Sequence, residues 1–384
     1  MATIIMGSYM IRYPLGGNLS WALQYLTGLK DLGHDVYFVE KHGYDESCFD
    51  PLQQIMTNDC TTGIKIVSEL LRRFGLTNKW CFVGHDNTYY GMSRDQIESL
   101  FKKADLYIEN GSHEAWKEEL SFSDAISAFI DVDPAFTQIK WHNRLNRGKD
   151  IPQLDFYYTN GLNVGTSGNI IPTCDIQWRY IFNPVNTKLF KQSPPKNNAP
   201  YSTIMNWKSY DIEPNYKGTM YGHKDQEFQK FQDLPQHVNV PLEVAIANIP
   251  VGKDVELENL GWIVKHARDV TSTYDSFQEY LQSVRGEFSV VKNMYAATCS
   301  GWFSDKSAAF LASGRPVVLQ ETGFSNHLPV GEGLFAVNNL EGAKEAIEKI
   351  ESNYDLHSRK AREIAIEFLD TKKVLGNFLS GLGI

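Results

Sequence analysis

Residues able to do chemistry gather at the tips of otherwise apolar segments in this 384-residue chain. In FSVVKNMYAATCSGWFSDKSAAFLASGRPVVLQETG, Phe288–Gly323, Ser304 stands before a helical run that opens with Asp305, Lys306 and Ser307. Unpaired N–H groups at a helix start, two hydroxyls and an ammonium suit a phosphate-bearing ligand. Lys292 adds a cation at the end of the preceding strand, and RPVVLQ brings Glu321, Thr322 and Gly323 to the same edge. Ser304 also reads as an ordinary N-cap, worth about 1 kcal/mol. The convergence of two strand tips favours a ligand site over capping alone.

A second turn, SYMIRYPLGGN, holds Gly16 and Gly17 just before a helix, where the backbone can approach a ligand. The alternative is a tight loop. No GxGxxG follows any strand, which argues against a nicotinamide dehydrogenase. In FIDVDP, Asp131 and Asp133 leave a strand on one side-chain parity, and Asp133 is the candidate to take a proton from a hydroxyl or orient it. The plainer reading is a turn-forming Asp before Pro. His85 and Asp86 in FVGHDNTYYG form another candidate pair. Trp262 in LGWIVKH is a candidate base-stacking ring, with Trp302 second; both also read as core. Lys208 and Lys224 are further cations for a diphosphate, and Glu287 a contact for a ribose. No HExxH and no clustered His/Cys set points to a required metal or other cofactor.

The elements that must position these groups alternate. TIIMGSYM is strand-like, and NLSWALQYLTGLKDLGHD spaces Leu19, Leu23, Leu26 and Leu29 as one helical stripe between Asn18 as cap and Gly33 as stop. DVYFVEKH follows as a strand, so the chain opens with a βαβ unit and a parallel sheet. KQSPPKNNAP, Lys191–Pro200, has linker composition with three prolines. Strands and helices then alternate again, apart from an irregular insertion at Lys208–Pro241, and Ser358–Leu379 reads as a helix. The fold class is α/β, with two doubly wound domains.

Acidic residues outnumber basic ones, 46 to 37, for a net charge of −9, which speaks against a dedicated polyanion binder. KWHNRLNRGK, Lys140–Lys149, is a local exception, with Trp141 among its cations. The five cysteines are odd in number and lack a CxxC pair, as expected of free thiols in a reducing compartment. With no apolar run of 18 and no secretory pattern, a cytoplasmic protein without a membrane span is expected.

The run GWFSDKSAAFLASGRPVVLQETGFSNHLPVGEGLFAV resembles the nucleotide-sugar-binding segment of bacterial GT-B glycosyltransferases of the family 1/4 type. YPLGGNLSWALQYLTGLKDLGHDVYFVE resembles their opening unit, and FIDVDPAFTQ and TNGLNVG…PTCDIQWRYIFNPV their middle segments. The resemblance implies two Rossmann-like domains with an interdomain cleft: 1–190 on the acceptor side, 191–200 as linker, 201–357 binding the donor, and 358–384 packing back on the first domain. It implies transfer of a sugar from a nucleoside-diphosphate sugar, UDP-sugar foremost, to a hydroxyl acceptor, with no further cofactor. Alternatives are a transferase acting on a hydroxymethylated DNA base, gripped by Lys140–Lys149, and an epimerase or phosphorylase on the same fold. Two glutamates, eight positions apart in many retaining members, are replaced by Gly301 and Ala309 here. Asp305 and Glu321 are then the nearest carboxylates.

Overall fold

The computed structural model describes residues 1–196, 198–209 and 213–384; Asn197 of the linker and 210–212 of the insertion lie outside the described residues. Two parallel sheets carry the site. The strands of the first are β1 (Thr3–Gly7), β2 (Asp35–Lys41), β3 (Trp80–Val83), β4 (Tyr89–Gly91), β5 (Leu106–Glu109), β6 (Ile126–Asp131), β7 (Phe156–Thr159) and β8 (Trp178–Tyr180). They lie in the order β4-β3-β2-β1-β5-β6-β7-β8, with only β4 antiparallel to its neighbour. Both faces are covered by helices, so β1, β3 and β5 are almost wholly buried apolar runs.

The second sheet contains β9 (Tyr201–Asn206), β10 (Leu242–Ala247), β11 (Ile263–His266), β12 (Gly286–Ser289), β13 (Val317–Gln320) and β14 (Leu334–Val337). Its order, β11-β10-β9-β12-β13-β14, is the Rossmann order, all parallel. The strand order reverses between β1 and β5 in the first sheet and between β9 and β12 in the second. Crevices for ligands open at the carboxyl ends of such strand pairs.

The insertion after β9 holds a ribbon, Asn215–Tyr216 with Thr219–Met220, and a short helix, Lys224–Phe228. Tyr216 of that ribbon packs with Ala135 and Ile139 of the first domain. The tail is not one helix from Ser358 to Leu379. Helix Tyr354–Ile364 packs its Ala361 and Ile364 in the second domain. A π-helical turn, Ala365–Leu369, then leads to Asp370, whose side chain accepts from the Lys372 N–H at 3.0 Å and starts helix Thr371–Leu382. That helix buries Val374, Leu375, Phe378 and Leu379 in the first-domain core. The break is where the chain changes domain. There Val185 N–H donates to Leu369 O at 2.8 Å, Thr371 N–H to Val185 O at 3.1 Å, and Thr187 Oγ1 to Asp370 Oδ2 at 2.6 Å. Among the described residues no helix is long and apolar enough to cross a membrane.

Candidate active site

At the crevice between β9 and β12, helix Asp305–Ala312 begins directly over the strand tips. Lys306 reaches back into the sheet: its Nζ donates to Thr203 Oγ1 at 2.9 Å, Ser289 Oγ at 3.1 Å and Ile204 O at 3.2 Å. Its ammonium also lies 2.7 Å from the fully buried Glu287 carboxylate, off the hydrogen-bond direction. Lys306 therefore ties β9 to β12, with its charge balanced by Glu287 beneath the crevice.

Lys224, the first residue of the short helix, makes no side-chain hydrogen bond or ion pair among the described residues. Its surface is only partly covered, yet dense protein surrounds the ammonium. Burial first, and the nearby Lys306 and Lys292 charges next, lower its pKa to about 7 against the opposing pull of Glu287 and Asp305. A cation so destabilised gains most from an incoming anion. Ser307, wholly buried in the helix's first turn, leaves its hydroxyl without a partner, and Ser304 makes no side-chain cap bond. Asp305 sits against the amides of Lys306 and of its own residue; burial raises its pKa against the pull of these amides and of Lys306 and Lys224. Part of the helix start is thus faced by its own carboxyl. The sequence placed those amides in a phosphate cradle; among the described residues around this helix start, Lys224 and the Ser307 hydroxyl are donors without a partner.

Lys292 and Asp133, assigned separate roles by the sequence, meet across the cleft. Lys292 Nζ lies 3.0 and 3.1 Å from the two Asp133 oxygens, and Tyr295 O–H donates to Oδ1. Asp131 is different. Nearly fully buried, it accepts from Asp133 N–H (3.0 Å), Gln138 Nε2 (2.8 Å) and Thr159 Oγ1 (2.7 Å), which fixes the turn that presents Asp133. Behind Lys292, Asn293 Nδ2 donates to Glu227 Oε1 at 2.7 Å and Gln320 Nε2 donates to the other oxygen. Burial pushes the Glu227 pKa up, but Lys230, Asn293 and Gln320 outweigh it and hold the carboxyl below its usual value. Glu227 is absent from the sequence reading; its signal was an acid inside an insertion without periodicity.

The first-domain crevice is occupied by the chain itself. Glu40, fully buried at the end of β2, accepts from Met10, Ile11 and Arg12 N–H at 2.9, 2.7 and 3.0 Å and from Arg12 Nε at 3.0 Å. Three successive amides aimed at one carboxylate form a closed anion nest. Tyr9, in the same turn, stands near Asp133 and Asp305; burial, then Asp133, pushes its pKa up to about 12.

Comparison with known proteins agrees with this architecture. No protein-family model and no curated protein sequence matches the chain. Among solved structures, an alpha-glucosyltransferase in complex with UDP and a 13-mer DNA aligns with a TM-score of 0.61 at 11% identity, covering 100% of both chains. Anabaena Alr3699/HepE in complex with UDP and glucose aligns at 0.56 and 10% identity, again over 100% of both chains. Sucrose-phosphate synthase from Thermosynechococcus elongatus aligns at 0.55 and 12% identity over 99% of each. The fold is GT-B.

Within this GT-B frame several sequence-predicted residues do not join the site. Gly16 and Gly17 begin helix Gly16–Asp31 and neither is left-handed. A Cβ on Gly16 would lie 2.2 Å from the Thr273 carbonyl oxygen, so the close approach is between domains, not to a donor. Trp262 is core: its Nε1 donates to Gln232 O at 2.7 Å and its ring packs on Phe228 and Phe288. His85 and Asp86 lie in the exposed β3–β4 hairpin, two strands from the crevice, where Asp86 accepts from Thr88 N–H and Oγ1 at 3.0 and 2.7 Å to shape its own turn. Glu321 likewise accepts from the amides of Thr322 and Gly323, and Thr322 Oγ1 donates to Trp302 O at 2.7 Å. Trp302 packs on Tyr295 with the rings tilted by 32° and 4.6 Å between centroids. In Lys140–Lys149, Trp141 is buried and stacked on Trp178, so it offers no ring to a nucleic acid.

Proposed function

We propose that this GT-B chain is a glycosyltransferase that takes a UDP-sugar in the second-domain crevice and transfers the sugar to a hydroxyl acceptor on the first-domain side. The observation that carries the reading is Lys224, a cation with no partner among the described residues, beside Lys306 at the carboxyl ends of β9 and β12. Its charge is unfavourable until an anion such as a diphosphate arrives. The GT-B structures most similar in fold include ones described in complex with UDP, and the first domain's own nest is filled by Glu40.

In this mechanism Lys224, joined by Lys292, offsets the charge of the diphosphate, with the Ser307 hydroxyl as a hydrogen-bond donor, as it leaves with the electron pair of the bond to the anomeric carbon. Electrostatic stabilisation of a leaving group is commonly the largest catalytic contribution. The acceptor oxygen forms the new bond to that carbon, and its proton passes to Asp133. Lys292 bridges the two halves: paired with Asp133 before the donor enters, it turns toward the diphosphate and leaves the carboxylate basic. Asp305, in the first turn of the donor helix, is the carboxylate placed to hold sugar hydroxyls.

The test is direct. UDP should raise the thermal midpoint by mass action, and incubation with UDP-sugars should yield free UDP together with glycosylated acceptor or released sugar by mass spectrometry. A hydroxymethylated DNA duplex belongs among the acceptors. No midpoint response to UDP, GDP, ADP or dTDP would remove the reading.

A further inference from the structure

Asn163 of the run TNGLNVG and the later Asn169 and Asn183 belong to the first half of the chain, yet they bond to the loop that launches the donor helix. Asn163 Nδ2 donates to Cys299 O at 2.9 Å, and Asn169 Nδ2 donates to Thr298 O and Cys299 O at 3.1 and 3.2 Å. Asn183 Nδ2 donates to Phe303 O at 3.0 Å, and Asn163 N–H to Ser300 O at 3.1 Å. Gly161 and Trp302 pair as an isolated antiparallel bridge. Four carbonyls between Thr298 and Phe303 are thus held from the other domain.

The loop needs holding. Cys299 has φ +47° without being glycine, and Gly301 has φ +77°. A left-handed non-glycine residue costs of order 1–3 kcal/mol and persists only where its surroundings enforce it. Space is equally constrained: a Cβ on Gly301 would lie 2.7 Å from Asn163 N, and one on Gly323 2.2 Å from Asn163 Nδ2. On its other side Asn163 Oδ1 lies 2.8 Å from His327 Nε2. Because Nδ2 is engaged with Cys299, Oδ1 is the acceptor and His327 carries its proton on Nε2. Burial lowers the His327 pKa, so the ring is neutral near pH 7.

We propose that Asn163, oriented by His327, is a positioning residue for the donor: it locks the Thr298–Phe303 loop so that Ser304–Ser307 meet the diphosphate in register. The donor site is then complete only when the two domains are seated on each other. This rests on the proposed function for its ligand but not for its mechanics.

Asn163→Asp keeps the shape of the half-exposed side chain and places an oxygen against the Cys299 carbonyl. In titrations of the full chain, the Kd for UDP should rise about tenfold, equivalent to about 1.4 kcal/mol. The midpoint of the unliganded protein should stay within about 2 °C, and amides 300–307 should exchange hydrogen faster than in the parent chain. If Asn163→Asp does not fold, Asn169→Ala, which removes one of the two donors to the Cys299 carbonyl, should give the same pattern at about threefold. Parent-like UDP affinity with parent-like exchange refutes the proposal, as does a fall in affinity matched by general unfolding. If the parent chain binds no UDP, the proposed function fails on its own, and the exchange of amides 300–307 alone decides whether Asn163 locks the loop.

Discussion

Lys224 gives the sharpest test, because its titration falls inside the working pH range. Its amine has been brought down to about 7, chiefly by burial and then by Lys306, so in the empty protein the charged form disappears as pH rises past 7. A bound diphosphate favours the charged form and returns the pKa toward the ordinary lysine range. Binding is then linked to uptake of one proton, and the Kd for UDP should weaken about eightfold between pH 7.5 and 8.5, approaching tenfold per pH unit. The terminal phosphate, which titrates near pH 6, is already ionised there. Isothermal titration in buffers of different ionisation enthalpy reads the proton count directly. In Lys224→Met the pH dependence should vanish, and affinity at pH 6.5 should fall by about 2–5 kcal/mol, the scale for truncating one member of a buried charge pair. Stability should move the other way. A lysine whose folded pKa lies below its unfolded value makes the fold less stable at acid pH, and stability rises with pH between about 7 and the unfolded value. Lys224→Met should therefore raise the thermal midpoint at pH 6.5 while weakening UDP. A Kd that is flat from pH 7 to 8.5, or one with the same pH slope in the variant, would refute the reasoning.

Other substitutions separate architecture from chemistry. Asp133→Asn should lower transfer 10²–10⁴-fold, the range for loss of a general base, with UDP affinity retained in the same preparation. Trp262→Ala should cost about 3–5 kcal/mol in denaturant unfolding, as for other buried aromatic truncations, and leave the Kd for UDP unchanged, since the ring packs on Phe228 and Phe288. Gly16→Ala should lower the midpoint and enlarge the radius of gyration in solution scattering, because the added Cβ meets the Thr273 carbonyl of the other domain.

Much of the scaffold was legible because it is local. The Leu19–Leu29 stripe, the Gly33 stop and the buried runs around Val317 each carry their periodicity within a dozen residues, and the parallel order follows from alternation. Ser304, Lys306 and Ser307 were legible for the same reason: one short run places them at a helix start. What the sequence concealed was long-range. Asp133 and Lys292 are 159 positions apart and meet only once the domains pack. Trp262 looks like a stacking ring until Phe228 and Phe288 are known to close around it. The glycines at 16 and 17 suggested a ligand, yet at 16 the atom that comes close is a carbonyl from residue 273, and at 17 no atom comes closer than 3.8 Å to an added Cβ. Glu40 ends an ordinary strand, and nothing nearby announces that it will draw in three amides of an earlier turn.

The swap at Asp370 bears on how the chain comes to be folded. The helix that seals the first sheet's core on the Leu19–Leu29 side lies at Thr371–Leu382, and a Cβ on Gly28 would sit 2.6 Å from Leu375 Cδ1. During synthesis the first domain must therefore wait, with an apolar face uncovered, until the whole second domain has emerged. Such an exposed face invites association with other chains. The last helix is in effect a clasp, and cutting the chain just before it should leave both domains, residues 1–370, with that face uncovered and prone to precipitate.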